Sequence, residues 1–115
     1  MKITRANELV EYHPKGHYDM KALRAHNKEM SGAQFLIVGL SVFSPQGGAE
    51  NNTVKPDSEL IYYIVEGEME LTTAEGVTVL KSGDSVYFGV GDERSVCNKT
   101  DKPAKMLVIM AKKPE

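Results

Sequence analysis

The 115-residue sequence has no tryptophan, a single cysteine and three histidines. Each scarcity closes off a class of explanation. The lone Cys97 can form no internal disulfide and gives no metal-site spacing, which agrees with a reducing cytoplasm. The histidines, His13, His17 and His26, all stand in the first quarter of the chain, ahead of its glycine-rich part. No apolar run approaches the roughly 20 residues of a membrane span. The opening MKITRANELVEYHP lacks the apolar core of a signal peptide. A formal net charge of −2 leaves no basic footprint, so neither nucleic acid nor an anionic membrane is an expected partner. Low-complexity tracts and linkers are absent too, and the length suits one domain with one core.

What is present is a pair of glycine-punctuated stretches, each read as strand, turn, strand. The first, GGAENNTVKPDSELIYYIVEG, runs over residues 47–67 and closes on Glu66-Gly67-Glu68, a tight turn where glycine can take positive φ. The second, GDSVYFGVGDERSVCN, runs over residues 83–98. Around them, residues 1–10 predict a short edge strand and a polar turn, and 11–16 a loop with Pro14 and Gly16. Residues 17–27 fit a helix or a strand; the alternation of Tyr18, Met20, Ala22, Arg24 and His26 favours the strand. A turn is expected at 28–32. Residues 34–43, QFLIVGLSVF, predict a strand buried on both faces and ended by Pro45. Further strands are expected over 60–71, 77–80, 85–90, 95–98 and 106–110, and a charged tail over 112–115. Many short strands with glycine turns predict an all-β sandwich or barrel.

The two stretches resemble the paired motifs of the cupins, small antiparallel barrels. The first cupin motif is Gly, five residues, His-x-His, three or four residues, Glu, six residues, Gly. The second is Gly, five residues, Pro-x-Gly, two residues, His, three residues, Asn. Gly48, Gly67, Gly83, Gly91 and Asn98 fall on the scaffold places. The metal-ligand places are taken by Val54, Pro56, Leu60 and Arg94, and Gly89 stands for the proline. The resemblance implies a single-domain double-stranded β-helix, or jelly-roll barrel, over 34–115, with 1–33 packing on it as a strand and loop segment. It also implies a homodimer, to which the apolar run 35–43 would contribute a face.

Cupins that bind metal use imidazoles and a carboxylate, and none of the four residues here is a good ligand. No metal and no cofactor are therefore expected, although a site rebuilt from His17 or His26 is a further possibility. Arg94, if it points inward as the resemblance implies, needs an anionic partner in a medium of low dielectric. That partner is either a ligand carboxylate or phosphate, or Glu93, Asp92 or Glu59 at the barrel mouth. Parity adds Glu50 and Asn52 on the strand of positions 54 and 56, and Tyr62 beside Leu60. Tyr62 can offer a phenol as donor or general acid, or simply fill the barrel. Asn98 either caps a turn or touches ligand. Lys55 has the wrong parity unless Pro56 induces a bulge. His17 and His26 can overhang the mouth as proton-transfer groups.

Three functions follow. One is a metal-independent isomerase, lyase or decarboxylase of a small carboxylated metabolite, with Arg94 as anchor and Tyr62 or His26 moving a proton. Another is a non-catalytic binding or sensory barrel. The third is an assembly piece whose barrel is filled by Val54, Leu60, Tyr62, Ile64 and Phe88. A metal-dependent enzyme with a non-standard site is a further alternative.

Overall fold

The computed structural model describes residues 1–113. Nine strands carry the fold: β1 (Val10–Tyr12), β2 (His17–His26), β3 (Leu36–Thr53), β4 (Ser58–Glu66), β5 (Glu68–Thr73), β6 (Gly76–Lys81), β7 (Ser85–Phe88), β8 (Glu93–Cys97) and β9 (Ala104–Lys112). A single-turn helix, α1 (Lys28–Ser31), links β2 to β3. Its start is capped by the Asn27 side chain accepting from the Met30 amide at 2.8 Å, and Gly32 ends it at φ 73°.

The strands form one continuous path, β6-β5-β8-β3-β9-β4-β7, with β2 on the other side of β3 and β1 outside β2. β3 belongs to both walls of the barrel. Its residues Leu36 to Phe43 pair with β9, and Gly48 to Thr53 pair with β8. Pro45 does not end this strand, contrary to expectation. It falls in the gap between the two ladders, where its missing N–H is not needed. The chain bends there instead: Gln46 takes φ 69° and donates its amide to the Asn98 carbonyl at 2.7 Å. Gly47 and Gly48 then pass so close to other backbone that a Cβ would collide with the Asp19 carbonyl at one and the Val96 carbonyl at the other.

Other expectations shift by a few residues. The 3-10 turn Ala6–Glu8 occupies the start of the chain, and the first strand includes Glu11 and Tyr12, which were read as loop. Residues 60–71 divide at Gly67, φ 80°, into β4 and β5. Of the expected charged tail, Lys112 ends β9, while Pro114 and Glu115 lie outside the described residues.

β4 shows why the sequence folds this way. Its burial alternates strictly, with Ser58, Leu60, Tyr62 and Ile64 inside and Glu59, Ile61, Tyr63 and Val65 outside. The inner residues join Phe43, Met69, Leu71, Leu80, Phe88, Val96 and Met106 in one core. Over Leu36 to Phe43, β3 is fully buried on its inner face only. Val38, Leu40 and Val42 face outward and are half-buried, while Leu36 is exposed.

Candidate functional site

A cavity of about 490 Å³ opens in the barrel between β2, the two halves of β3, β4, β8 and β9. Such a volume suits a small molecule, and it leaves the filled-barrel reading without support. Its floor is apolar, with Phe43, Leu60, Met106, Val108 and Met110. Its polar groups are one-sided: Lys15, Arg24, Lys55, Arg94 and Lys112 line it, and among the described residues no aspartate or glutamate does. A chain of net charge −2 has thus gathered cations around one space.

Arg94 enters from β8, where it pairs with Asn52. Its Nε–H donates to the Tyr62 hydroxyl at 3.1 Å, and its guanidinium carbon lies 5.5 Å from the centroids of both the Tyr62 and Phe88 rings. Those two rings meet edge to face, 5.3 Å between centroids. Nη1 is buried and has no hydrogen-bond partner. Two of the three carboxylates weighed as mouth partners are engaged elsewhere: Glu59 accepts from the Tyr87 hydroxyl, and Asp92 accepts from the Gly89 amide, both at 2.8 Å. Burial pushes the Tyr62 phenol above its ordinary value, against a smaller opposing pull from Arg94. It is therefore a neutral phenol at neutral pH. Because its oxygen accepts from Arg94, its own proton is free to be donated.

A second guanidinium lies in the same cavity, and sequence reasoning missed it as a site residue. Arg24 stacks on Tyr12, 4.1 Å from ring centroid to guanidinium carbon, and its Nε is buried without a partner. Arg24 was visible only as one member of an alternating series. What brings it to Tyr62 is tertiary: Arg24 pairs with Gly39, Gly39 with Val108, and Val108 with Tyr62, one rung across four strands. The missing side chain at Gly39 lets β2 and Tyr12 approach this closely. A Cβ there would come within 2.8 Å of the Leu23 carbonyl oxygen and 3.8 Å of the Tyr12 hydroxyl.

The remaining candidates divide. Asn52 and Lys55 line the cavity, and so does His17, whose Nδ1 lies 3.1 Å from the Lys15 carbonyl. His26 and Glu50 do not line it, and the cause is the same for both. A register shift between Arg24 and His26 sets His26 opposite Val38, on the outward parity. Another between Ala49 and Asn52 keeps Ala49 and Asn52 inside and turns Glu50 to solvent. One extra residue reverses every face beyond it. Asn98 is fully buried, and both ends of its amide are committed to the scaffold. Nδ2 donates to the carbonyls of Lys102 at 2.7 Å, Phe43 at 3.3 Å and Ser44 at 3.4 Å. Oδ1 accepts from the Thr100 amide and hydroxyl.

The residues do not fit a divalent ion. The family's ligand places hold Val54, Pro56, Leu60 and Arg94, and a permanent cation there repels a metal. Among the described residues no three of His, Cys, Asp and Glu gather to hold one. Nor is any helix among them long and apolar enough to cross a membrane.

Comparisons with known proteins agree with this architecture. The chain is 35% identical over 111 residues to the β-D-galactosidase Rv1717 of Mycobacterium tuberculosis, covering 96% of this chain and 94% of that one. Its fold is similar to that of the polyketide cyclase RemF of Streptomyces resistomycificus, with TM-score 0.83, 16% identity, and coverage of 96% of this chain and 79% of that one. It is also similar to that of a predicted oxalate decarboxylase of Thermotoga maritima, with TM-score 0.80, 15% identity, and coverage of 96% and 99%. At these identities the two structures speak for the fold alone. A family model described as a cupin domain matches residues 39–110, and with it the long bent strand, both glycine motifs and the arginine of the cavity: the chain belongs to the cupin family.

Proposed function

We propose that the protein binds a small carboxylated metabolite inside the barrel and acts on it without a metal, as an isomerase, lyase or decarboxylase. The observation that carries this reading is the buried, unpartnered Nη1 of Arg94 in a cavity that no carboxylate lines among the described residues. A guanidinium in that position is one acceptor short, and a ligand carboxylate supplies it. The Tyr62 O–H then donates to the same ligand, either as an orienting hydrogen bond or as the group that delivers a proton to a developing anion. With His26 turned away, His17 is the histidine placed to exchange protons at the mouth. A non-catalytic binding protein would show the same affinity without turnover.

Titration calorimetry with small monocarboxylates, acetate to butyrate, tests the binding. Saturable binding is expected in the natural protein, and a loss of at least about tenfold in Arg94→Gln, the order of one charge-assisted hydrogen bond. Equal binding by the two proteins would remove Arg94 as the anchor.

A second reading comes from the Mycobacterium relative, which is named a β-D-galactosidase. Glycoside hydrolysis ordinarily uses a pair of carboxyl groups, and among the described residues the barrel cavity offers none. A neighbouring groove of about 720 Å³, between β5, β6, β7 and β8, shares Arg94 with that cavity and is lined by Glu75, Asp92 and Glu93. If the chain is a galactosidase, that groove is the place for the reaction. Hydrolysis of a chromogenic β-galactoside that is lost in Glu93→Gln would favour this reading; no hydrolysis above background is the expected result.

Self-association belongs to the same proposal. On the outer face of the sheet, Tyr87, Ile61, Ile109 and Val38 form one rung, and Tyr63, Leu107 and Leu40 the next. Ile61 is 38% exposed and Tyr87 59%. An apolar face of this extent suits a second copy packed about a two-fold axis. Sedimentation is expected to give about twice 12.7 kDa, and a single 12.7 kDa species would contradict it.

A further inference from the structure

We infer that the ligand carries two anionic groups, one held by Arg94 and the other by Arg24. This deepens the reading above and rests on it for the Arg94 end. The two arginines repeat one arrangement. Each has its guanidinium beside a tyrosine: Arg24 lies 4.1 Å over the Tyr12 ring, and Arg94 lies 5.5 Å from the Tyr62 centroid and donates to the Tyr62 hydroxyl. Each keeps one nitrogen buried and unpartnered, Nη1 in Arg94 and Nε in Arg24. Both line one cavity that holds no carboxylate among the described residues.

Two desolvated cations in one enclosure repel each other, so neither relieves the other. A single carboxylate satisfies one of them and leaves the second as it was. A doubly anionic molecule satisfies both, and the lysines at the mouth add to the same field. The span is set by the rung from Arg24 through Gly39 and Val108 to Tyr62. Three inter-strand steps of roughly 4.8 Å bound it at about 14 Å between the end Cα atoms, and the inward reach of the side chains shortens it. In the middle of that span Val108 lines the cavity and Gly39 adds no side chain; a Cβ at Gly39 would come within 3.8 Å of the Tyr12 hydroxyl. The ligand class is therefore a short molecule with an anionic group at each end, either a dicarboxylate or a carboxylate bearing a phosphate.

The test is calorimetry on the full chain at fixed ionic strength, with matched probes. Succinate, glutarate and adipate are compared with the monocarboxylates of equal length, and phosphoglycolate with glycolate. In the natural protein at least one doubly anionic probe should bind about tenfold or more tighter than its partner. The pair with the larger ratio identifies the second group as carboxylate or phosphate. In Arg24→Gln that ratio should collapse to about one. Arg24→Met, which keeps the side-chain volume, repeats the measurement if the glutamine variant folds poorly. Equal affinities within every pair, or a preference that survives both Arg24 variants, would overturn the inference. The Arg94 reading fails separately: monocarboxylate binding would then be absent or indifferent to Arg94→Gln, while the Arg24-dependent preference for two charges persisted.

Discussion

Arg94→Met should lose carboxylate binding and at the same time melt no lower than the natural protein. The two effects have one cause. Arg94 holds a permanent charge in a partly buried place where Nη1 has no acceptor, so without ligand the charge is a desolvation penalty with little return. Replacing a buried ionic group by an apolar side chain of similar length is often neutral or stabilising, by about 1–4 kcal/mol. Against that, the Tyr62 hydroxyl loses its donor, at a cost of about 1 kcal/mol. The balance is a melting temperature unchanged or raised by a few degrees, roughly 4 °C per kcal/mol for a chain of this size. The ligand side is opposite in sign. A bidentate carboxylate contact is lost, at about 3 kcal/mol or roughly a hundredfold in affinity. Differential scanning calorimetry with and without a bound carboxylate reads both effects in one experiment. A fall of several degrees in the ligand-free variant would show that Arg94 is held by the protein's own acceptors, and the anchor role would go with it.

Asn98→Ala should be the most damaging single substitution for the fold. The carboxamide sits with no solvent exposure and joins the Lys102, Phe43 and Ser44 carbonyls to the Thr100 amide and hydroxyl. Its backbone closes the same junction, accepting from the Gln46 amide and donating to the Gly47 carbonyl. This is the point where β3 leaves one wall for the other. Alanine deletes the bridge, strands several buried groups and opens a small cavity. The expected loss is about 3–5 kcal/mol, or a fall of roughly 12 °C or more in melting temperature. Asn98→Asp should not recover it, because a buried carboxylate oxygen would then face the Lys102, Phe43 and Ser44 carbonyls with no proton to donate. A shift of only a degree or two would mean that water replaces the amide without difficulty. Ligand affinity per folded molecule should stay constant in both variants, because Asn98 does not line the cavity.

Much of the fold was legible in the chain, because local rules decide it. Gly67, Gly83 and Gly91 take φ of 80°, 92° and 83°, a region that side chains resist, so their spacing marks the turns. The alternation in β4 places Leu60, Tyr62 and Ile64 inside without any knowledge of their neighbours. Arg94 stands at the place of the second cupin motif's histidine, which the family resemblance implies is inward, and it lines the cavity. Counting failed where the strands were irregular. His26 and Glu50 each lie beyond a bulge, and a bulge has no signature in the parity that was counted. Pro45 was read as a stop because its missing amide argues against a central strand. It survives because the bend leaves that amide nothing to bind.

By itself, then, the sequence determined the all-β barrel and its glycine turns. Those properties depend on residue type and short spacing. Only the tertiary structure decided that Arg24, seventy residues away, shares a cavity with Arg94. It also decided that Lys15, Lys55 and Lys112 line that cavity while, among the described residues, no acidic side chain does. The physical reason is that a ladder joins residues by register. Register is settled by the bend at Gln46 to Gly48 and by the two bulges, where packing between the walls overrides the strict period of the strand.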